Sequence, residues 1–480
     1  MKKLLYICTL SGLFLTTACS KDFLDTNPQQ NTDADMVIKD IASTRAAING
    51  IYSLMQNLNN YGRTTILLPD IMSDNAFISK KNQNRYLSYD QYITTESESY
   101  AAGQWNQLYR VIANTNLLIA KAEANTYPSS DSAEVQHIIG EAYALRALAH
   151  FNLVRFYALP YNATPTADHL GVPVVTKNAT SKEGIISPKR NTVKEVYTQI
   201  ISDFNTAMQR MPRTPVGFKA SMRGKMGYYG TKALLARVQL YREDYVAADS
   251  LANDVITKGG FALITRDKLI DDSKKQNSTE SIFEIQFNTL DNLGSDALVN
   301  IYWQSGSYGD ALSTEDLFNA YTATDIRKTF ITKGKRSGGE NPAWLVTKYT
   351  NNTNFEEPSR VIRLAEVYLI RAEARAHTGK EALALADLNT IAARGDDKLV
   401  PYDVVGTALT DAILNERRKE LAFEGHRLFD LTRTKKSFTK YRSATTIAIN
   451  YPNGRTILPI PQAEMKANTN MEQNDAYKPN

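Results

Sequence analysis

Between Ile413 and Arg433 the chain reads ILNERRKELAFEGHRLFDLTR, and Glu416, Glu420 and Glu424 fall four residues apart. On a helix that spacing aligns three carboxylates on one stripe, which is where a general acid and a general base would be needed. Leu414, Leu421 and Leu428 recur every seven residues, and Ile413, Arg417 and Leu421 every fourth. The spacing predicts one helix across the whole stretch, with an N-cap from Thr410 or Asp411. The same helix carries Arg417, Arg418, Arg427, Phe423 and Phe429. Leucines at this spacing ask for burial, and buried charges persist only when paired or hydrogen-bonded. The stripe therefore reads as catalytic carboxylates, as a solvated face, or as a structural network that ties neighbouring loops. No nucleophile, metal ligand or phosphate loop accompanies it, which favours the structural readings.

Other chemistry is sparse. The five histidines are scattered, with no H-E-x-x-H and no Cys/His cluster, so no metal ligands are expected. No G-x-S-x-G or G-x-G-x-x-G occurs. Gly224, Gly227 and Gly230 recur every third residue without making a phosphate loop, and close helix packing explains them better. His137 and Glu141 are one helical turn apart and read as a surface pair. Asp70 and Asp74 share a turn, and a carboxylate pair could serve glycoside hydrolysis. On these residues the expectation is no catalytic residue, no metal and no cofactor.

Lys2 and Lys3 precede an apolar run from Leu4 to Leu15, followed by small residues up to Cys19. That pattern is a signal peptide, too short to remain as a membrane span. Thr16-Thr17-Ala18-Cys19 resembles a lipobox, with Cys19 as the acylated first residue of the mature chain. Cys8 leaves with the leader, so no disulfide within the mature chain is possible. Residues 1–18 are thus the leader and 19–35 a polar, lipid-anchored linker. Residues 36–480 form the folded body. The net charge of +5 is too small and too evenly spread to indicate a nucleic-acid partner.

Helical periodicity marks Met36 to Leu58, Trp105 to Ala124, Ser132 to Ala158 and Asn191 to Met211. Tyr228 to Tyr241 and Tyr245 to Lys258 form a helix-turn-helix, and Arg360 to Thr378 with Lys380 to Ala393 repeats it. Ala236 and Ala248 are twelve apart, as are Ala372 and Ala384. Small residues so placed let paired helices approach closely, as in tetratricopeptide repeats. Gly259 to Pro358 is loop-rich, apart from Ser281 to Asn288, where apolar and polar residues alternate as in a half-buried strand. An irregular segment of that length inside a folded body is usually functional.

ERRKELAFEGHRLFDLTR resembles the C-terminal signature of the SusD/RagB-like outer-membrane nutrient-binding lipoproteins. Arg363 to Ala374, read as RLAEVYLIRAEA, is similar to that family's preceding helix. Trp105, Tyr109, Asn114, Asn116, Gly140-Glu141-Ala142, Arg146-Ala147, Gly171-Val172-Pro173-Val174 and Leu458-Pro459-Ile460-Pro461 match further family positions. The resemblance implies a mainly α protein, with tetratricopeptide-like hairpins as scaffold, a few short strands and a loop-rich ligand-binding face. It implies a non-enzymatic lipoprotein of the outer membrane, facing the cell exterior. Such a protein binds an oligosaccharide or polysaccharide and delivers it to a SusC-like TonB-dependent transporter. A peptide- or other nutrient-binding member is the alternative, and a glycoside hydrolase a more distant one.

Sugar rings present flat C–H faces rimmed by hydroxyls, so a glycan is held by aromatic platforms and planar hydrogen-bonding groups. Two stretches offer that mixture. Asp74 to Tyr92 carries Asp74, Asn82, Arg85, Tyr86 and Tyr89, and Asn300 to Tyr308 carries Tyr302, Trp303 and Tyr308. Alternatively, Tyr302 and Trp303 plug the core beneath a long loop.

Overall fold

Ser132–Tyr157 is buried around nearly its whole circumference, which places it at the centre of a helical assembly. The structure, a computed structural model, describes residues 38–178, 187–213 and 222–478. The leader, Cys19 and the linker through residue 35 lie outside the described residues. Numbering the longer helices in chain order, α1 is Ile41–Gln56, α2 Thr64–Ile71, α3 Ser99–Ala124 and α4 Ser132–Tyr157. Next come α5 Val193–Arg210, α6 Tyr228–Tyr241 and α7 Tyr245–Lys258. The last are α8 Leu364–His377, α9 Glu381–Gly395, α10 Gly406–Glu420 and α11 Arg427–Arg433.

Helices α3 and α5 flank α4, while α6–α7 and α8–α9 are the two expected hairpins, with α7 packed on α8. Asp244 caps α7 by accepting from the Ala247 amide at 3.1 Å, which satisfies one of the orphan donors at a helix start. Ala236, Ala248, Ala372 and Ala384 are all fully buried, as close approach of paired helices requires. The tetratricopeptide-like scaffold is therefore present.

The strands are short. β1 (Ala76–Ile78), β3 (Ala311–Ser313), β5 (Ala343–Val346) and β4 (Ile331–Gly334) form one sheet in that order. β2 (Ser281–Ile285) pairs antiparallel with β6 (Ser359–Arg363), and β7 (Phe438–Tyr441) with β8 (Thr446–Ile449). Two sequence expectations need correction here. Arg360 to Arg363 is strand, with α8 beginning only at Leu364. β2 is buried on both faces, not half-buried, because Glu284 sits opposite Arg360 in the ladder and pairs with it.

The predicted helix from Ile413 to Arg433 is two helices. α10 starts after Val405, upstream of Thr410 and Asp411, and ends at Glu420. The chain then turns through Phe423 (φ 65°) and Gly425 (φ 79°) before α11. Distant groups hold the break. The Asp70 carboxylate accepts from the amides of Phe423 at 3.2 Å and Gly425 at 3.0 Å. Lys348 Nζ donates to the Ala422 carbonyl at 2.8 Å, and the Tyr349 hydroxyl to that of Phe423 at 2.9 Å. Gly425 is required twice over, by its positive φ and because a Cβ would stand 2.8 Å from the Thr65 carbonyl oxygen.

Candidate functional site

Breaking the helix aims the carboxylate stripe into the protein. Glu416, Glu420 and Glu424 are buried, and each has basic partners. Arg363 lies 2.6 Å from Glu420, 2.7 Å from Glu280 and 2.8 Å from Glu424. Arg327 bridges Glu416 at 2.6 Å, Glu420 at 2.8 Å and Asp325 at 2.7 Å. Arg394 joins Glu280 to Glu420, and Lys348 holds Glu424 at 2.5 Å. On α11, Asp430 takes Arg417 at 2.9 Å and Arg433 at 2.7 Å.

Burial pushes the Glu420 and Glu424 carboxyls up, but their partners win. Arg363 and Lys348 hold Glu424 down at about 2. Arg394, Arg363 and Arg327 hold Glu420 well below the usual carboxylate range. Acids so firmly ionised neither donate nor accept a proton readily at neutral pH. The stripe and its partners join α9, α10, the end of β6 and the residue before β2 into one structure.

Asp70 and Asp74 separate in role. Burial lifts Asp70 to about 6 against its hydrogen bonds from Asn75, Gly425 and Phe423. Asp74 is clamped by Arg427 and approached by Arg418 at 3.4 Å. His137 and Glu141, read from sequence as a surface pair, are both buried. Glu141 accepts from the Tyr52 hydroxyl, and burial raises it to about 7. Among the described residues no cluster of His, Cys, Asp and Glu could hold a metal ion. No helix among them is long and apolar enough to cross a membrane.

The two aromatic stretches divide in the same way, and four of their residues are corrected from ligand platform to core. Asp74 is spent on Arg427, as above. Tyr86 is 1% exposed, stacked on Tyr100 at 3.9 Å, and its hydroxyl takes Arg63 Nε at 3.0 Å. Tyr89 is fully buried, its hydroxyl accepting from the Ala101 amide at 2.8 Å. Tyr302 is fully buried between Tyr349 and Phe423. A ring with no exposed face has nothing to offer a sugar.

Asn82, Arg85, Trp303 and Tyr308 remain partly exposed, and the fold brings two of them into contact. The Arg85 guanidinium lies 3.6 Å from the centroid of the Tyr308 ring, a cation–π distance. Its Nη1 donates to Asp310 at 3.1 Å and its Nη2 to Gln83 at 3.0 Å. Asn82 shapes its own turn, donating to the Ser79 carbonyl at 2.5 Å and accepting from the Asn84 amide at 2.6 Å. Trp303 rests its partly buried ring on the core. The 303–310 loop is held by Asn300, whose Oδ1 accepts from the Ser307 amide at 3.0 Å.

Sequence reasoning missed Arg336 and Gln304. Arg336 donates to the carbonyls of Tyr308 at 2.6 Å and Lys81 at 3.0 Å, and to Gln304 Oε1 at 3.0 Å. It thereby clips three loops into one surface. Neither periodicity nor motif marks it, since its partners are mostly backbone carbonyls far along the chain.

Comparison with known proteins agrees with this architecture from end to end. Residues 22–240 match the family model described as "Starch-binding associating with outer membrane". Residues 301–477 match that of the SusD family. SusD-like protein P2 of Formosa agariphila is 25% identical, covering 99% of both chains. A SusD-like protein of Bacteroides ovatus is 24% identical over 94% of this chain and 85% of its own. A solved structure described as a putative sugar binding protein from Bacteroides vulgatus superposes with a TM-score of 0.82 at 28% identity, covering 92% of this chain and 100% of its own. A laminarin binding SusD-like protein shares the fold, with a TM-score of 0.74 at 23% identity over 92% of this chain and 100% of its own. With both family models placed on one chain and the same fold found in the relatives, this protein belongs to the SusD family.

Proposed function

We propose that this protein is a cell-surface lipoprotein that holds an oligosaccharide or polysaccharide on its loop face and passes it to a SusC-like TonB-dependent outer-membrane transporter. The ligand assignment is carried by Arg85 lying over Tyr308 at 3.6 Å, with Gln83, Gln304 and Arg336 around it and half-buried Trp303 in the same loop as Tyr308. That arrangement joins an aromatic surface to planar hydrogen-bonding groups fixed by the fold, as a pre-organised sugar site needs. Similarity to the starch-binding family and to the sugar binding protein of Bacteroides vulgatus supports a glycan. Cys19 carries the lipid, each buried CH₂ supplying about 0.8 kcal/mol of membrane affinity.

Calorimetric titration with laminarin and other purified glycans tests the ligand site. Tyr308→Ala and Arg85→Ala are expected to weaken binding at least about tenfold, or 1.4 kcal/mol, with little change in Tm. Unchanged affinity in both variants sinks the site. Intact-mass analysis of membrane-extracted protein is expected to show an acylated Cys19, and mild-detergent purification to recover a β-barrel partner. Unlipidated protein, or repeated recovery of the chain alone, counts against those two parts.

A further inference from the structure

The loops around Arg85 carry an unusual local charge. Segments 79–85, 303–310 and 333–340 contain six cations, Lys80, Lys81, Arg85, Lys333, Lys335 and Arg336, against two carboxylates, Asp310 and Glu340. This local excess of four sits in a chain whose total is +5. The segments meet in space. Arg336 donates to the Lys81 carbonyl at 3.0 Å and the Tyr308 carbonyl at 2.6 Å. A Cβ on Gly338 would lie 3.5 Å from the Lys81 side chain.

Both carboxylates are already committed. Asp310 is shared between Arg85 at 3.1 Å and Arg336 at 3.6 Å. Glu340 accepts from Ser79 Oγ at 2.6 Å, from the Lys80 amide at 2.9 Å and from Ser443. Lys80, Lys81, Lys333 and Lys335 are exposed, and none has an acidic partner among the described residues. Arg336 Nε is buried and likewise lacks a hydrogen-bond partner there. Four lysines without an acidic partner thus gather from two segments at the very loops that carry the sugar site.

We propose that the loop face selects an anionic polysaccharide, one bearing uronate carboxylates or sulfate esters. The proposal rests on the glycan-binding reading above and adds the charge of the ligand. Arg336 is spent on fixing the loops, whereas Arg85 is partly exposed with its Nη2 held by exposed Gln83, so its planar guanidinium is within reach of a carboxylate or sulfate. The four lysines act as mobile point charges along the rim, raising the local concentration of a polyanion and speeding its arrival. A neutral glucan uses the Tyr308 and Arg85 surface alone and gains nothing from the lysines.

The test uses the full-length protein in mild detergent with four purified polymers: polygalacturonate, carrageenan, laminarin and double-stranded DNA. Polygalacturonate or carrageenan is expected to bind at least about tenfold more tightly than laminarin, and to lose most of that advantage at about 0.5 M salt. The double variant Lys81→Gln, Lys335→Gln is expected to weaken the anionic polymer about tenfold or more and leave laminarin unchanged. A control pair, Lys194→Gln with Lys466→Gln, is expected to change neither. Whichever anionic polymer binds more tightly identifies carboxylate or sulfate as the recognised group. Tighter binding of laminarin that needs Arg85 and Tyr308 but no lysine overturns the anionic assignment and leaves the glycan site standing. DNA binding as tight as the anionic polysaccharide, or equal loss in the control pair, overturns it as unselective attraction. Failure of every polymer to bind overturns both readings.

Discussion

Arg427 grips Asp74 through both edges of its guanidinium, Nε to Oδ1 at 2.7 Å and Nη2 to Oδ2 at 2.8 Å, across 353 residues of chain. The pair is buried, and it ties the start of α11 to the turn that leads into β1. An acid that composition would offer to a sugar is instead a fastening between the two halves of the sequence.

Asp74→Ala is therefore expected to destabilise the protein by about 3–5 kcal/mol, because it strands the Arg427 charge in the interior. Glycan affinity of the folded fraction should stay unchanged. A melting curve beside a titration checks both. A variant of normal stability with lost binding would return Asp74 to the ligand site.

The same reasoning gives Arg363 a larger role. It contacts three carboxylates, Glu280, Glu420 and Glu424, so Arg363→Met leaves several like charges facing one another without their shared cation. The expected loss is at least about 3–5 kcal/mol, with further loss for the double variant Arg363→Met, Arg394→Met, because Glu280 and Glu420 share both arginines. Urea unfolding measures this. Wild-type stability in the double variant would show that the network contributes little.

Tyr302 and Trp303 are neighbours with different fates. Tyr302 is fully buried against Phe423, their ring centroids 5.5 Å apart, so Tyr302→Ala should cost about 3–5 kcal/mol of stability. Trp303 is half-buried, and Trp303→Ala should cost less stability and more glycan affinity. Equal melting temperatures for the two variants would refute the distinction.

Acid should act on this protein in two stages. Asp70, lifted by burial to about 6 from 3.8, and Glu141, lifted by burial to about 7 from 4.5, bind protons more tightly when folded than when unfolded. Their contribution grows as pH falls from about 7 and is complete below those unfolded values. Glu424, held at about 2 from 4.5 chiefly by Arg363 and Lys348 against burial, has the opposite sign. Its stabilisation is present above 4.5 and is lost as pH falls toward 2, and Glu420 and Asp430 follow the same direction. Burial pushes His137, His150 and His426 down to about 4, 3 and 4 from 6.5, so their stabilisation is lost as pH falls below 6.5 and outweighs the gain from Asp70 and Glu141. Stability should therefore be highest between about pH 6 and 7, decline toward 4.5 and collapse below it. Denaturant titrations across about pH 3 to 8 check it, and a maximum at or below about pH 5 would contradict the assigned shifts.

The sequence by itself determined the helical scaffold. Tyr228–Tyr241 and Tyr245–Lys258 begin and end where periodicity and the turn at Arg242 to Asp244 place them. Helix spacing is a local property, read from residues within a few turns of one another. The alanines of the hairpins and the family resemblance were legible for the same reason. Tertiary structure alone decided where the helix after Glu420 breaks, because the groups that stabilise the break, Asp70, Lys348 and Tyr349, are remote in sequence. It also decided which loop aromatics face inward. Tyr86 and Tyr308 look alike in a polar, irregular stretch, where no period marks an inner face. Tyr86 is buried because Tyr100 and Arg63 close over it, while Tyr308 stays partly open beneath Arg85. Burial of a loop side chain is set by what the rest of the chain packs against it, and that information lies outside the loop.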